Sequence, residues 1–159
     1  MSWGETLFLK KIITSQRKYA ASDSVLTVLT SSVISIKNKG TKDISCYFIP
    51  KIDGSVRIEV NLRSFSPTGV LEDRGGYFRI LKDGIVIADS GFVYQFYDDI
   101  NKQTVYRNNG VRYFDIPIIK KATYTFQLYS PQDNGGISAS NIKVCGQVVD
   151  LSMLNYFTE

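Results

Sequence analysis

The stretch SVRIEVNLRSF, residues 55–65, constrains the fold more than any other part of this chain. Val56, Ile58, Val60 and Leu62 alternate with Arg57, Glu59, Asn61 and Arg63. A period of two places the four aliphatic side chains on one side of an extended strand and the polar ones on the other. A strand with a single apolar face must lay that face on a second layer of structure.

The same rhythm recurs along the chain. VLTVLTSSVISIKNKG is rich in β-branched residues and ends in an Asn-Lys-Gly turn. DISCYFIPKIDG puts Ile44, Cys46 and Phe48 on one side, with Pro50 at a strand end or edge. TYTFQLYS gathers Tyr124, Phe126 and Leu128. ISASNIKVCGQVVDL gathers Ile142, Val144 and Val148, with Cys145 beside Lys143 and Gln147. FVYQFYDD aligns Phe92, Tyr94 and Phe96. Asn108-Asn109-Gly110 is a turn signal between strand-like runs, and the DRGG and DNGG stretches also read as turns. Eight to ten short strands at regular spacing predict an antiparallel sandwich.

One hairpin is specified to the residue. In GGYFRILKDGIVIADSG, Asp83-Gly84 separates two apolar runs. A two-residue type I′ turn needs positive φ at both positions, which Gly adopts freely and Asp tolerates. The turn pairs Lys82 with Ile85, Leu81 with Val86 and Ile80 with Ile87. Phe78, Ile80, Ile85 and Ile87 then share a face that can pack on a core.

The beginning of the chain follows a different pattern. SWGE is an S-x-x-E capping box, with Ser2 as N-cap and Glu5 reaching back. Leu7, Phe8, Leu9, Ile12 and Ile13 follow, and Arg17 and Lys18 close the segment where cations favour the helix dipole. A helix over residues 3–18 is expected, resting its apolar side on this domain's own sheet or on another chain. Residues 20–24, AASDS, are a polar linker. The expected organisation is an arm, residues 1–24, and a β-sandwich domain, residues 25–159.

The chain contains no histidine. That removes Ser-His-Asp and Cys-His nucleophiles, His-based zinc sites and HExxH. No phosphate-binding glycine loop is present. Asp98-Asp99 and Glu72-Asp73 are sequence neighbours, so on a strand their carboxylates diverge rather than converge as a glycosidase needs. The expectation is a protein that is not an enzyme, with no catalytic residue, no metal site and no cofactor. Around YDDIN and PQDNGG, solvated turns explain the polar residues better than calcium ligation. Cys46 and Cys145 are far apart and match no metal spacing; free thiols are expected, and a single bridge is the alternative.

Net charge is +4, unevenly spread: residues 1–52 hold eight Lys and Arg against three acids, and the remainder eleven against twelve. The basic residues come early and the tyrosine-rich strands later, so a cationic, aromatic nucleic-acid groove is not expected. No apolar run approaches the ~18 residues of a membrane span, and no secretory signal opens the chain, so neither membrane insertion nor signal-directed export is expected. Sugar stacking on tyrosine rings of a sandwich is a reading to weigh against plain packing. The candidate glycan-contact residues are Tyr94, Tyr97, Tyr106 and Tyr113.

The stretches FIPKIDGSVRIEVNLRS, GGYFRILKDGIVIADSG and RYFDIPIIKKATYTFQLYSPQDNGGISASNIKV occur in that order. Over roughly residues 48–144 this resembles the small β-sandwich modules of bacteriophage and prophage tail, baseplate and fibre proteins. The resemblance implies a structural, non-enzymatic protein made in a bacterial cytoplasm and carried in a virion or phage-like particle. Its implied partners are other particle proteins, further copies of itself and a host-surface glycan. Trp3, Leu7, Phe8 and Ile12 would then be the residues that dock on the particle. The fold expected is all-β, an antiparallel, jelly-roll-like β-sandwich with a short N-terminal helix or arm. The alternative function is a stand-alone carbohydrate-binding β-sandwich module.

Overall fold

The computed structural model describes residues 26–146. Among them are eleven strands and no helix: β1 Leu26–Thr30, β2 Ile34–Ile36, β3 Gly40–Phe48, β4 Gly54–Phe65, β5 Arg74–Lys82, β6 Ile85–Asp89, β7 Val93–Asp98, β8 Gln103–Arg107, β9 Gly110–Ile118, β10 Tyr124–Ser130 and β11 Gly136–Cys145. One sheet runs β1-β11-β4-β9 with β2 also on β11; the other runs β3-β10-β5-β7-β8 with β6 also on β5. Every pairing is antiparallel. The described residues therefore form an all-β sandwich, as the alternation requires. The expected N-terminal helix, with Trp3, Leu7, Phe8 and Ile12, lies outside the described residues, as does Val148.

The period-two pattern of β4 becomes the centre of the core. Ile58, Val60 and Leu62 are fully buried and Val56 nearly so, while Arg57 and Arg63 on the opposite face are exposed. Ile58 lies between Phe114 of β9 and Val144 of β11 in register. From the facing sheet come Phe48, Phe78, Tyr124 and Phe126, whose rings pack with centroids 5.1 Å apart for Phe48–Tyr124 and 5.8 Å for Phe78–Phe126. Each such side chain contributes roughly 1.5–3 kcal/mol when removed from water. The buried Tyr124 hydroxyl accepts a hydrogen bond from the Ile119 amide at 2.9 Å, so its polar end is satisfied.

The Asp83-Gly84 turn has φ of 50° and 85°, as a type I′ turn demands. Lys82 pairs with Ile85 and Leu81 with Val86, but Ile80 pairs with Ala88 instead of Ile87 because a bulge follows. Ile85 and Ile87 do not share the buried face of Phe78 and Ile80. β6 is an edge strand, and these side chains stand in solvent. A second correction concerns DRGG. Gly75 and Gly76 are not in a turn but inside β5, where a Cβ on Gly76 would stand 2.6 Å from the Tyr129 carbonyl oxygen and 2.7 Å from Ile137 Cγ2. The glycines are there for close approach of neighbouring strands.

Both cysteines are free. Cys46 is buried in the core, and loss of solvation pushes its thiol up to about 12.

Candidate functional site

Asn108-Asn109-Gly110 carries the chain from the edge of one sheet to the edge of the other. β8 belongs to the sheet of β7, whereas β9 pairs with β4 across the sandwich. The crossing uses positive φ at Asn108 (62°), which a short amide side chain tolerates, and at Gly110 (115°), which has no Cβ to clash. Asn108 Nδ2 donates to the Phe92 carbonyl at 2.8 Å and fixes the turn against the start of β7.

This crossing makes a cleft. Pairing of β4 with β9 stops at Leu62–Gly110, but β4 continues to Phe65. Among the described residues no strand pairs with the end of β4 on that side, and the β7–β8 hairpin stands over it. The space between is about 690 Å³, lined by Asn61, Arg63, Ser64, Phe65, Ser66, Gln95, Tyr106, Asn109 and Gly110. That volume is within the range of small-ligand sites.

The floor of the cleft is fixed by internal hydrogen bonds. The Ser64 amide donates to Asn109 Oδ1 at 2.7 Å, and the Ser64 hydroxyl donates to Gln95 Oε1 at 2.8 Å. Asn109 Nδ2 donates to the carbonyls of Tyr94 and Arg107, at 3.2 and 3.0 Å. One asparagine therefore ties β4, β7 and β8 together. The lip is different. Arg63, Asn61 and Tyr106 make no side-chain hydrogen bond or ion pair among the described residues. Tyr106 is 57% exposed and lies directly opposite Gln95 in register. The cleft offers an aromatic ring, one uncommitted guanidinium and free amide groups, with no carboxylate in its lining.

The four candidate tyrosines do not converge. Tyr106 lines the cleft. Tyr97, on the same hairpin and opposite Thr104, is half-buried, and its amide donates to the Val70 carbonyl. Tyr94 points to the other side of β7, where it stacks on Phe92 with ring centroids 4.8 Å apart, and Phe92 in turn meets Tyr77. Tyr113 belongs to the other sheet, exposed on its outer face with the Arg57 guanidinium 5.7 Å from the ring centroid. Asn109, Gln95, Arg63 and Ser64 were not singled out from the sequence. The Asn-Asn-Gly turn was the one signal that could have pointed to Asn109.

The titratable groups with shifted pKa among the described residues lie outside this lining. The Asp98 carboxyl is held below its ordinary range by hydrogen bonds from the Asn101 side-chain amide and backbone. The same bonds close the YDDIN turn on itself. Asp115 is lowered by its hydrogen bonds from Arg57. Among the described residues no three His, Cys, Asp or Glu side chains converge as metal ligands.

No protein-family model and no curated protein matches the chain. Solved structures do match. A family 35 carbohydrate binding module from an environmental isolate shares 16% identity at a TM-score of 0.45, covering 76% of this chain and 77% of its own. The native family 35 module from Clostridium thermocellum shares 15% identity at 0.33, covering 79% and 94%. The CBM35 from Cellvibrio japonicus Abf62 shares 11% at 0.35, covering 76% and 91%. These values transfer no residue and no ligand to this chain. They do correct the resemblance drawn from the sequence. The matched structures are carbohydrate-binding modules and not phage structural proteins. The virion location, particle partners and tail, baseplate or fibre role fall with that reading. The strand and turn phrases that carried it are those of antiparallel sandwiches in general.

Proposed function

We propose that this domain binds carbohydrate without chemically altering it, at the cleft between the end of β4 and the β7–β8 hairpin. One observation carries the reading: an exposed tyrosine ring, Tyr106, stands beside uncommitted Arg63 and Asn61 over a floor locked by Asn109. A sugar presents an apolar ring face and a rim of hydroxyls. A tyrosine can stack on the first, while a guanidinium and an amide bond the second. A floor already hydrogen-bonded loses little freedom on binding, which favours affinity. Binding instead of catalysis is supported by the lining itself, which brings no carboxylate to the cleft and leaves Ser64 hydrogen-bonded to an amide oxygen rather than a base.

The family 35 neighbours are named as carbohydrate-binding modules, which agrees with this reading. A homo-oligomer, the other partner expected from the sequence, would need a surface other than the cleft. The function is tested by probing a glycan array with the wild type and with Tyr106→Ala. Wild-type retention on a defined set of glycans, lost in the variant, is the expected outcome. Equal retention of both proteins would move the site elsewhere, and no retention of the wild type would sink the proposal.

A further inference from the structure

The outer face of β4 carries Arg57, Glu59, Asn61 and Arg63, and the cleft takes only the last two. Asn61 lies opposite Val111 of β9 in register. Residues directly opposite in an antiparallel pair share a face, and so do alternate residues of one strand. Val111 and Tyr113 therefore follow Asn61 on the outside of the sheet, and both are exposed, at 53% and 56%. Gly110, three residues before Tyr113, is itself part of the lining, so Tyr113 stands about 10 Å along the strand from the cleft. Its ring is held in place. The Arg57 guanidinium lies 5.7 Å from the ring centroid, and Arg57 is fixed in turn by hydrogen bonds to Asp115 at 2.8 and 3.1 Å.

We propose that this face extends the cleft into a track for an extended glycan chain, with Tyr106 stacking one sugar ring and Tyr113 another further along the same chain. The inference rests on the cleft being the sugar site. The track is continuous, because the exposed Val111 side chain joins the Asn61 end of the cleft to the Tyr113 ring. Its two tyrosines stand apart, so a single sugar cannot meet both, whereas separate rings of one chain can. Polar groups accompany the apolar surface along its length: the Asn61 amide beside Val111, and the Arg57–Asp115 pair beside Tyr113. That arrangement matches the ring faces and hydroxyl rims of successive sugars. A straight track along a strand suits chains whose equatorial linkages keep them extended, as in cellulose, mannan and xylan. Such a chain is gripped along its length and not by its end. A ring positioned before binding loses little freedom when the sugar arrives.

The experiment is calorimetric titration of the full chain with a disaccharide and a hexasaccharide from each of cellulose, mannan and xylan. The wild type is expected to bind the hexasaccharide of at least one series roughly ten-fold or more tightly than its disaccharide. Tyr113→Ala should weaken that hexasaccharide roughly five- to ten-fold and leave the disaccharide unchanged, whereas Tyr113→Trp should keep the wild-type affinity for both. Tyr106→Ala should weaken both lengths. Because Tyr113 is exposed, its loss should leave the circular dichroism unchanged, and the length dependence of the wild type decides the matter even if the variant does not fold. Equal wild-type affinity for the two lengths overturns the track, as does a Tyr113→Ala variant that binds the hexasaccharide like the wild type. If Tyr106→Ala still weakens both lengths in that event, the cleft stands as the sugar site without the track. A wild type that binds none of the three series overturns the extended-chain ligand, and retention on the glycan array then separates a cleft for another sugar from a cleft for none.

Discussion

Replacing Ile58 by alanine measures how far the sandwich depends on the alternation of β4. Ile58 is fully buried between Phe114 and Val144. The substitution removes three carbons, each worth about 0.8 kcal/mol of transfer free energy. Both flanking partners are held in paired strands, so the site collapses little. A residual cavity of about 60 Å³ would add roughly 1.4 kcal/mol. The total is about 4 kcal/mol, or roughly 10–15 °C in melting temperature for a domain of this size. The assay is urea unfolding followed by tryptophan-independent circular dichroism, with a thermal melt beside it. Arg57→Ala, one residue away, removes an exposed side chain whose ion pair with Asp115 is open to solvent, and its unfolding midpoint should match the wild type. Equal losses at the two sites would refute the assignment of faces on β4, because a one-residue slip exchanges them.

Other expectations follow from single positions. Gly84→Val should cost about 1–3 kcal/mol from backbone strain alone, since φ is 85° and no atom lies near the added Cβ; an unchanged urea midpoint would contradict the turn. Gly76→Ala should destabilise by about 1–3 kcal/mol or more, as the new methyl meets the Tyr129 carbonyl, and a neutral result would show that the strands can part there. Cys145, partly exposed, should react with a thiol reagent in the native protein, and Cys46 only on unfolding. The Cys46 thiol is raised from 9.0 to about 12 in the fold. Its contribution is therefore intact below pH 9 and is lost as pH rises from 9 towards 12. Cys46→Ala should flatten that part of the stability profile.

The layers of the sandwich were legible because burial imposes a period that β4, β3 and β10 all obey. Val56 to Leu62, Ile44 to Phe48 and Tyr124 to Leu128 are inward runs that no helical pattern mimics. The Asp83-Gly84 turn was equally plain, because few residues accept its φ angles. What lay beyond the sequence was long-range. Whether Ile85 meets a core depends on how far the opposite sheet extends, and the bulge before Ala88 leaves no local mark. Tyr94 and Tyr106 look alike on paper; pairing with Gly75 sends one into an aromatic stack, and pairing with Gln95 sends the other into the cleft. Asn109 reads as a turn residue, and its second role, joining three strands beneath a cleft, exists only once the sheets are assembled.

Sugar binding in the cleft requires the Tyr106 ring to carry the stacked face of the ligand. Calorimetric titration of a glycan retained on the array tests it most directly, run on the wild type, Tyr106→Ala and Tyr94→Ala. Losing one stacked ring should cost about 1–2 kcal/mol, a roughly five- to thirty-fold rise in Kd. Tyr94, on the other side of β7 and stacked on Phe92, should leave Kd unchanged. A Kd that is unaltered by Tyr106→Ala, or that rises only with Tyr94→Ala, would contradict the account.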